Sequence, residues 1–180
     1  MTVTQFDIAP LKGGALWGFL EQAKTLRLAT IIGRQPINIS PVWFVIRSEH
    51  IYFFIDPTVG DPGRAATPAS QHLPALEKGS DVSGVIDDGE DMSNFRGVQV
   101  TGSVTPVKAT KLKEELLDIT LVKYFYEGHP HLEHFLSKGA VEERHWYKII
   151  AKKLNGWDRR LLPQPPIMER RILPSHLRKS

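Results

Sequence analysis

LRLATIIG (Leu26–Gly33), PINISPVWFVIR (Pro36–Arg47) and HIYFFID (His50–Asp56) decide the fold of this chain. Each reads as a β-strand, and the links between them, Arg34-Gln35 and Ser48-Glu49, are only two residues long. Parallel neighbours need a crossover of a dozen or more residues, so these three strands must be antiparallel. The middle strand carries Pro41, which cannot donate to a ladder and marks an edge, a bulge or a strand start. Followed by Val42-Trp43-Phe44, it predicts a strand that leaves its pairing where large aromatic groups stand. A flat ligand can lie against backbone at such a place.

Working outward, Leu16, Phe19, Leu20 and Ala23 recur at helical spacing and predict a short N-terminal helix. Downstream of the three strands lies a loop rich in Pro and Gly, Pro57–Ala69, and then a short helix over Gln71–Lys78 ended by Gly79. Asp81–Asp87 and Phe95–Val107 read as two more strands. In the second, Val98, Val100, Gly102 and Val104 alternate with polar residues, the period of a half-buried strand. An acidic hairpin loop, Asp88–Asn94, joins them. Leu112, Leu116, Ile119, Val122 and Tyr126 predict a helix, and Leu132, Phe135 and Leu136 extend the helical region past His129-Pro130. Trp146–Leu154 is the last expected strand.

These readings give a mainly β fold, a six-stranded antiparallel barrel with peripheral helices, since closure removes the exposed edges of an open sheet. Residues 1–158 form one domain, with a helical insertion at about 109–139, and residues 159–180 form a Pro/Arg-rich tail. Ile51–Ile55 is apolar on both faces, so one face fills the barrel and the other needs a helix or a second subunit over it.

Composition sets the outer limits. The 180 residues are 41% hydrophobic and 24% charged, the profile of a globular domain with a real core. Net charge is +3 with a pI near 9.2, but Arg159, Arg160, Arg170, Arg171, Arg178 and Lys179 place the excess in the tail. No aromatic residue interleaves with those charges, which argues against a nucleic-acid arm. The tail's Ile167, Met168, Ile172, Leu173 and Leu177 predict that it lies packed and extended. Absence of cysteine excludes disulfides and thiolate chemistry. No apolar run approaches membrane-spanning length and the N-terminus lacks signal-peptide character, so a cytoplasmic protein without membrane contact is expected.

In their order and spacing, LRLATIIGRQPINISPVWFV, HIYFFID, HLPALEKGSDVSGVIDDGED and FRGVQVTGSV resemble the FMN-binding split barrel of the pyridoxamine 5′-phosphate oxidase-like family. The resemblance covers Leu26 to Val107, with a weaker likeness from Trp146 to Asp158. It implies a homodimer with one flavin in each groove between two barrels. Pro41, Val42, Trp43 and Phe44 match the strand that lies along the isoalloxazine ring, with ordinary core as the competing reading for Phe44. Ile55 and Asp56 match positions near the ribityl chain, where relatives carry threonine in place of Ile55. The phosphate triplet Ser-Arg-Lys of relatives becomes Ser70-Gln71-His72, which weakens the cation, and Arg64 in the preceding loop is a substitute charge. His72 as a surface helix residue and Arg64 as a solvated loop residue are the bland alternatives. Arg96-Gly97 matches the pair that opens the fifth strand, and Trp157 the indole that crosses the dimer towards the flavin. A surface turn at Asn155-Gly156, with Trp157 packed locally, stands beside that reading.

The family therefore implies a flavin-dependent oxidoreductase acting on a small organic substrate, with FMN as cofactor or a deazaflavin in its place. A non-catalytic protein holding flavin or haem in the same groove is the alternative. Oxidation of pyridoxamine phosphate itself is disfavoured, because the ending LPQPPIMERRILPSHLRKS lacks the family's basic substrate pattern. His129, His131 and His134 with Glu133 invite a metal reading, but His129 precedes a proline in loop and no second ligand set accompanies them. The run Asp87, Asp88, Glu90, Asp91 lacks the alternation of a calcium loop. No metal is expected. The sequence names no catalytic residue, as a flavin carries the redox chemistry itself.

Overall fold

The computed structural model describes residues 9–31, 36–56, 69–90, 94–137 and 144–161. Its strands are β1 (Pro10–Leu11), β2 (Leu26–Thr30), β3 (Asn38–Val42), β4 (Phe44–Arg47), β5 (His50–Ile55), β6 (Asp81–Asp88), β7 (Arg96–Pro106) and β8 (His145–Asp158). The helices are α1 (Gly13–Gln22), α2 (Leu73–Glu77), α3 (Thr110–Tyr124) and α4 (Leu132–Leu136). Every pairing is antiparallel, in the order β3-β2-β6-β7-β8-β5-β4, with β1 added on β8. The end strands β3 and β4 are joined through Trp43 alone, so the sheet must curl until its two ends nearly meet. This is the antiparallel split barrel that the sequence predicts.

The expected six strands become eight for two reasons. The two-residue β1 is too short to carry a pattern. The stretch Pro36–Arg47 divides at Trp43, with β3 paired to β2 (Leu26↔Val42) and β4 paired to β5 (Phe44↔Phe53). The break anticipated beside Pro41 thus falls two residues later and moves the chain from one end of the sheet to the other. The β4–β5 hairpin turns at Ser48 and Glu49, with φ of 49° and 56°, the paired left-handed conformation that two-residue hairpins prefer.

Three element boundaries also differ. A 3-10 turn, Ala69–His72, precedes α2, and Pro74 near the start of α2 fits there because the first helical amides have no intrahelical partner. α3 ends at Tyr124, so Tyr126 lies beyond it and Val122 is 86% exposed. A 3.6-residue period starting at Leu112 and Leu116 arrives at Thr120 and Tyr124, and those face the sheet. β8 runs through Asn155 and Gly156 to Asp158, so that segment is strand and not a turn. Gly156 stands opposite both Val98 and Leu11.

Inside the barrel Leu20, Leu26, Leu28, Phe53, Ile86, Val98 and Val100 are fully buried. α1 lies by the start of β7, where the Arg96 guanidinium sits over Phe19, and α2 lies by its other end, where Gly79 approaches the Val104 carbonyl. β7 and β8 slip register between Thr101 and Gly102, and a Cβ at Gly102 would stand 2.2 Å from the Ile150 carbonyl oxygen. Only glycine permits that approach. A second cluster forms outside the barrel, where Val45, Tyr52, Phe54 and Trp146 are covered by Leu116 and Phe135. The outer face of Ile51–Ile55 is therefore covered by the chain's own helical insertion. Among the described residues no helix is long and apolar enough to cross a membrane. The Arg34-Gln35 turn and the tail beyond Leu161 lie outside the described residues.

Candidate functional site

β3 is an end strand: β2 pairs with one of its edges, and among the described residues no strand pairs with the other. Its side chains alternate, Ser40 and Val42 inward and buried, Ile39 and Pro41 outward and exposed, Ile39 by 64%. With Ile31 and Ile37 also exposed, this end of the sheet presents apolar surface beside a backbone edge that no described strand pairs. Phe44, 1% exposed, belongs to the core with its side chain. Its backbone is held from outside: the Phe44 N–H donates to Tyr124 Oη at 3.0 Å, and that hydroxyl lies 2.8 Å from the Phe44 carbonyl and 2.9 Å from the Lys24 carbonyl. Trp43 stacks on the Tyr124 ring, with centroids 4.6 Å apart and planes within 8°, and Phe54, Phe125 and Phe135 surround it. Tyr124 thus pins both the break in the strand and the indole displayed there. Burial raises its pKa, which keeps the hydroxyl protonated.

His72 lies in the interior, fully buried at the end of the 3-10 turn. Its Nδ1 is 2.7 Å from Thr30 Oγ1 and its Nε2 is 2.6 Å from Ser40 Oγ. A neutral imidazole has one donor and one acceptor, so the hydroxyls satisfy both nitrogens, one accepting and one donating. Burial pushes its pKa below the ordinary histidine value. The surface-helix alternative fails on burial alone. Ser70 is half-buried and Gln71 exposed on the same turn, while Arg64 lies outside the described residues. Asn38, on the inward-facing register of Ser40, has a buried Nδ2 without a hydrogen-bond partner among the described residues.

Ile55 is buried at the end of β5, opposite His145, and Asp56 follows it with an exposed carboxylate. That carboxylate accepts from Arg144 Nε at 2.9 Å. Arg144 is 3% exposed and also donates from Nη2 to the Phe135 carbonyl at 2.6 Å. Burial lowers its pKa while Asp56 opposes that shift. Sequence reading passed over Arg144, since an arginine in a charged run gives no sign that it will be buried.

Arg96 forms a two-point ion pair with Asp88, at 2.7 and 2.8 Å. Gly97 is buried, and a Cβ there would lie 2.6 Å from Trp157 Cζ2, so the indole occupies the space a side chain would need. Trp157 Nε1 is buried without a hydrogen-bond partner among the described residues. Trp157 stands in β8 opposite Gly97, packed on Phe95 with centroids 5.8 Å apart. Within one chain these residues are remote from β3. From Val42 the path runs across β2 and β6 to Val98, three strand spacings or about 14 Å. The sequence-predicted residues that the structure describes therefore stand in three places: β3 and Phe44 with the His72 turn, the end of β5 with Asp56, and the start of β7 with the end of β8.

His129 Nδ1 accepts from the His131 N–H at 3.2 Å, and its ring packs edge-on to Phe125 and Tyr126. Among the described residues no three His, Asp or Glu side chains are grouped as a metal site would require.

No protein-family model matches the chain, and no curated protein matches it in sequence. Solved structures do. A conserved hypothetical protein from Mycobacterium tuberculosis superposes with a TM-score of 0.66 at 18% identity, covering 93% of this chain and 98% of its own. An FAD-binding protein from Mesorhizobium loti gives 0.57 at 16%, covering 83% and 96%. The haem storage protein HutZ from Vibrio cholerae gives 0.57 at 16%, covering 80% and 94%. These likenesses show the fold, an antiparallel split barrel, as the order of strand motifs implied.

Proposed function

We propose that this protein binds a flavin, FMN foremost, against the open end of the sheet at β3, and uses it to oxidise or reduce a small organic substrate. The observation that carries the reading is β3 itself: an end strand whose second backbone edge no described strand pairs, with an exposed apolar face, on a fold shared with FAD-binding proteins. A planar heteroaromatic ring needs an apolar surface to lie on and polar groups along one rim, and these residues fit that demand. Pro41, Val42 and Trp43 would carry the ring's backbone contacts, with Phe44 behind them in the core. Ile55 and Asp56 would stand towards the ribityl chain. Ser70, Gln71 and Arg64 would serve the phosphate, and His72 would serve it through Ser40 and Thr30, as a positioning residue. A bound flavin supplies the hydride chemistry, leaving the chain to bind, orient and shield.

Arg96, Gly97 and Trp157 cannot meet a ligand on β3 of their own chain across about 14 Å of sheet. In this reading they reach the flavin of a second copy, which makes a homodimer a requirement of the site.

Absorbance of the purified protein and mass spectrometry of the released ligand test the proposal together. Flavin bands with the mass of FMN, and a dimer by light scattering, are the expected result. A deazaflavin mass would keep the oxidoreductase and change its cofactor. A Soret band would favour a haem carrier on the same fold. Failure to bind FMN, deazaflavin or haem at micromolar concentration would overturn the reading.

A further inference from the structure

We propose that Lys123, with Lys24 beside it, is a covalent site for a small carbonyl compound, an aldehyde or ketone that its amine captures as an imine. The placement of the side chain is the first reason. From the last turn of α3, Lys123 Nζ reaches to 3.8 Å from the centre of the Phe44 ring, a member of the barrel core, and 3.2 Å from the Leu20 carbonyl in α1. Two aromatic rings and one carbonyl are what the described residues offer its charge, and none of their carboxylates forms an ion pair with it. Lys24 brings a second ammonium to the same corner. Its Nζ donates to the Lys123 carbonyl and stands 5.3 Å from the centre of the Tyr124 ring, which is 5.6 Å from Lys123 Nζ.

An apolar surround and a neighbouring cation are the two conditions that turn a lysine from a solvated charge into a nucleophile. Of the titratable groups that face the amine, Lys24 disfavours its proton, Glu21 favours it, and Tyr124 stays neutral. Burial acts most strongly and brings Lys123 down to about 7, so near neutral pH about half of the chains carry the free amine. Lys123 is half-buried, while Glu21 and Lys24 beside it are exposed, which leaves the amine open to a small molecule from solvent. The packed rings of Trp43, Phe44 and Tyr124 set the limit on size. In the reaction the amine nitrogen adds to the carbonyl carbon, the carbon–oxygen bond breaks, and the oxygen leaves as water with the two amine protons. A neutral imine then stands where a half-buried cation stood, which relieves both the burial and the repulsion from Lys24. The site adjoins the strand break used by the flavin reading, on the side of the Phe44 ring and not on the exposed face of β3.

Reductive trapping on the full-length protein tests the site, with acetaldehyde as the probe, cyanoborohydride to fix the imine and peptide mass spectrometry to place it. At pH 7 an ordinary lysine, titrating near 10.4, is almost wholly protonated. Lys123 should therefore be ethylated at least about tenfold faster than the exposed Lys78 and Lys153. That ratio should shrink as pH rises towards 10, where ordinary lysines also lose their protons. In Lys24→Met the lead at pH 7 should narrow, because one of its causes is gone. Equal rates at the three lysines, a ratio that ignores pH, or a lead untouched by Lys24→Met would overturn the proposal. Trapping is read as mass on one peptide and flavin as absorbance, so either proposal can fail while the other stands.

Discussion

β3 and β5 look alike in sequence and end in opposite situations. Both are short and near an end of the sheet, yet the outward side chains of β5, Tyr52 and Phe54, are 4% and 7% exposed while Ile39 on β3 is 64% exposed. The difference is α3 and α4, which lay Leu116 and Phe135 over β4, β5 and β8 and leave β3 bare. The double-sided apolar pattern of Ile51–Ile55 had two explanations, a covering helix or a second subunit. The helix accounts for it. Apolar surface open to association remains at the uncovered end, around Ile31, Ile37, Ile39 and Pro41.

The largest effect should come from breaking the covered side. Leu116 is fully buried at the centre of the outer cluster, so Leu116→Ala should cost about 2–5 kcal/mol in chemical denaturation. Ile39→Ala on the bare side should stay within about 0.5 kcal/mol at concentrations where the chain is monomeric. If Ile39→Ala also leaves flavin affinity and association untouched, the open end is not the binding surface. Comparable losses at the two positions would mean that β3 is covered in solution.

Tyr124 joins the two regions, and its hydroxyl offers a sharper cut. Tyr124→Phe keeps the stack on Trp43 and removes only Oη, leaving the Phe44 N–H without its partner. The expected cost is about 1–3 kcal/mol, with a change in Trp43 fluorescence small beside that of Tyr124→Ala. A neutral outcome would mean that water replaces the hydroxyl at the strand break.

The strands and their antiparallel sense were legible because two-residue links and period-two alternation are local facts. Ser48-Glu49 is the clearest case, a hairpin turn read from its length and found with both residues left-handed. The division at Trp43 was legible only as a disturbance. Nothing near Pro41 says that the partner strand changes from β2 to β5, because that follows from closure of the whole sheet. His72 shows the limit at the site. A histidine three residues into a turn reads as solvent-facing, and its burial depends on Thr30 and Ser40, respectively 42 and 32 positions away. Arg144 escaped for the same reason, its partners Asp56 and Phe135 being set by tertiary packing.

A pH-dependent effect is expected at Lys123, beside Tyr124 on the same edge of the covered region. Its Nζ sits 3.8 Å from the Phe44 ring centroid and donates to the Leu20 carbonyl at 3.2 Å, contacts that favour the charged form. Burial and the neighbouring Lys24 outweigh them, and the pKa falls to about 7, with Glu21 opposing. An unfolded lysine keeps its proton to about pH 10.4, so between those values the unfolded chain binds more protons than the folded one. Stability contributed by this group must therefore rise with pH through that window, and lie flat below about pH 7, where both states are protonated. Lys123→Met removes the titration. The variant should be more stable than the wild type at pH 6 and lose that advantage steadily towards pH 10, read as the difference between two urea midpoint-against-pH curves. Parallel curves would mean that Lys123 keeps its charge in the fold through the ring and carbonyl contacts, and that the covered side tolerates a cation which the bare side would leave in water.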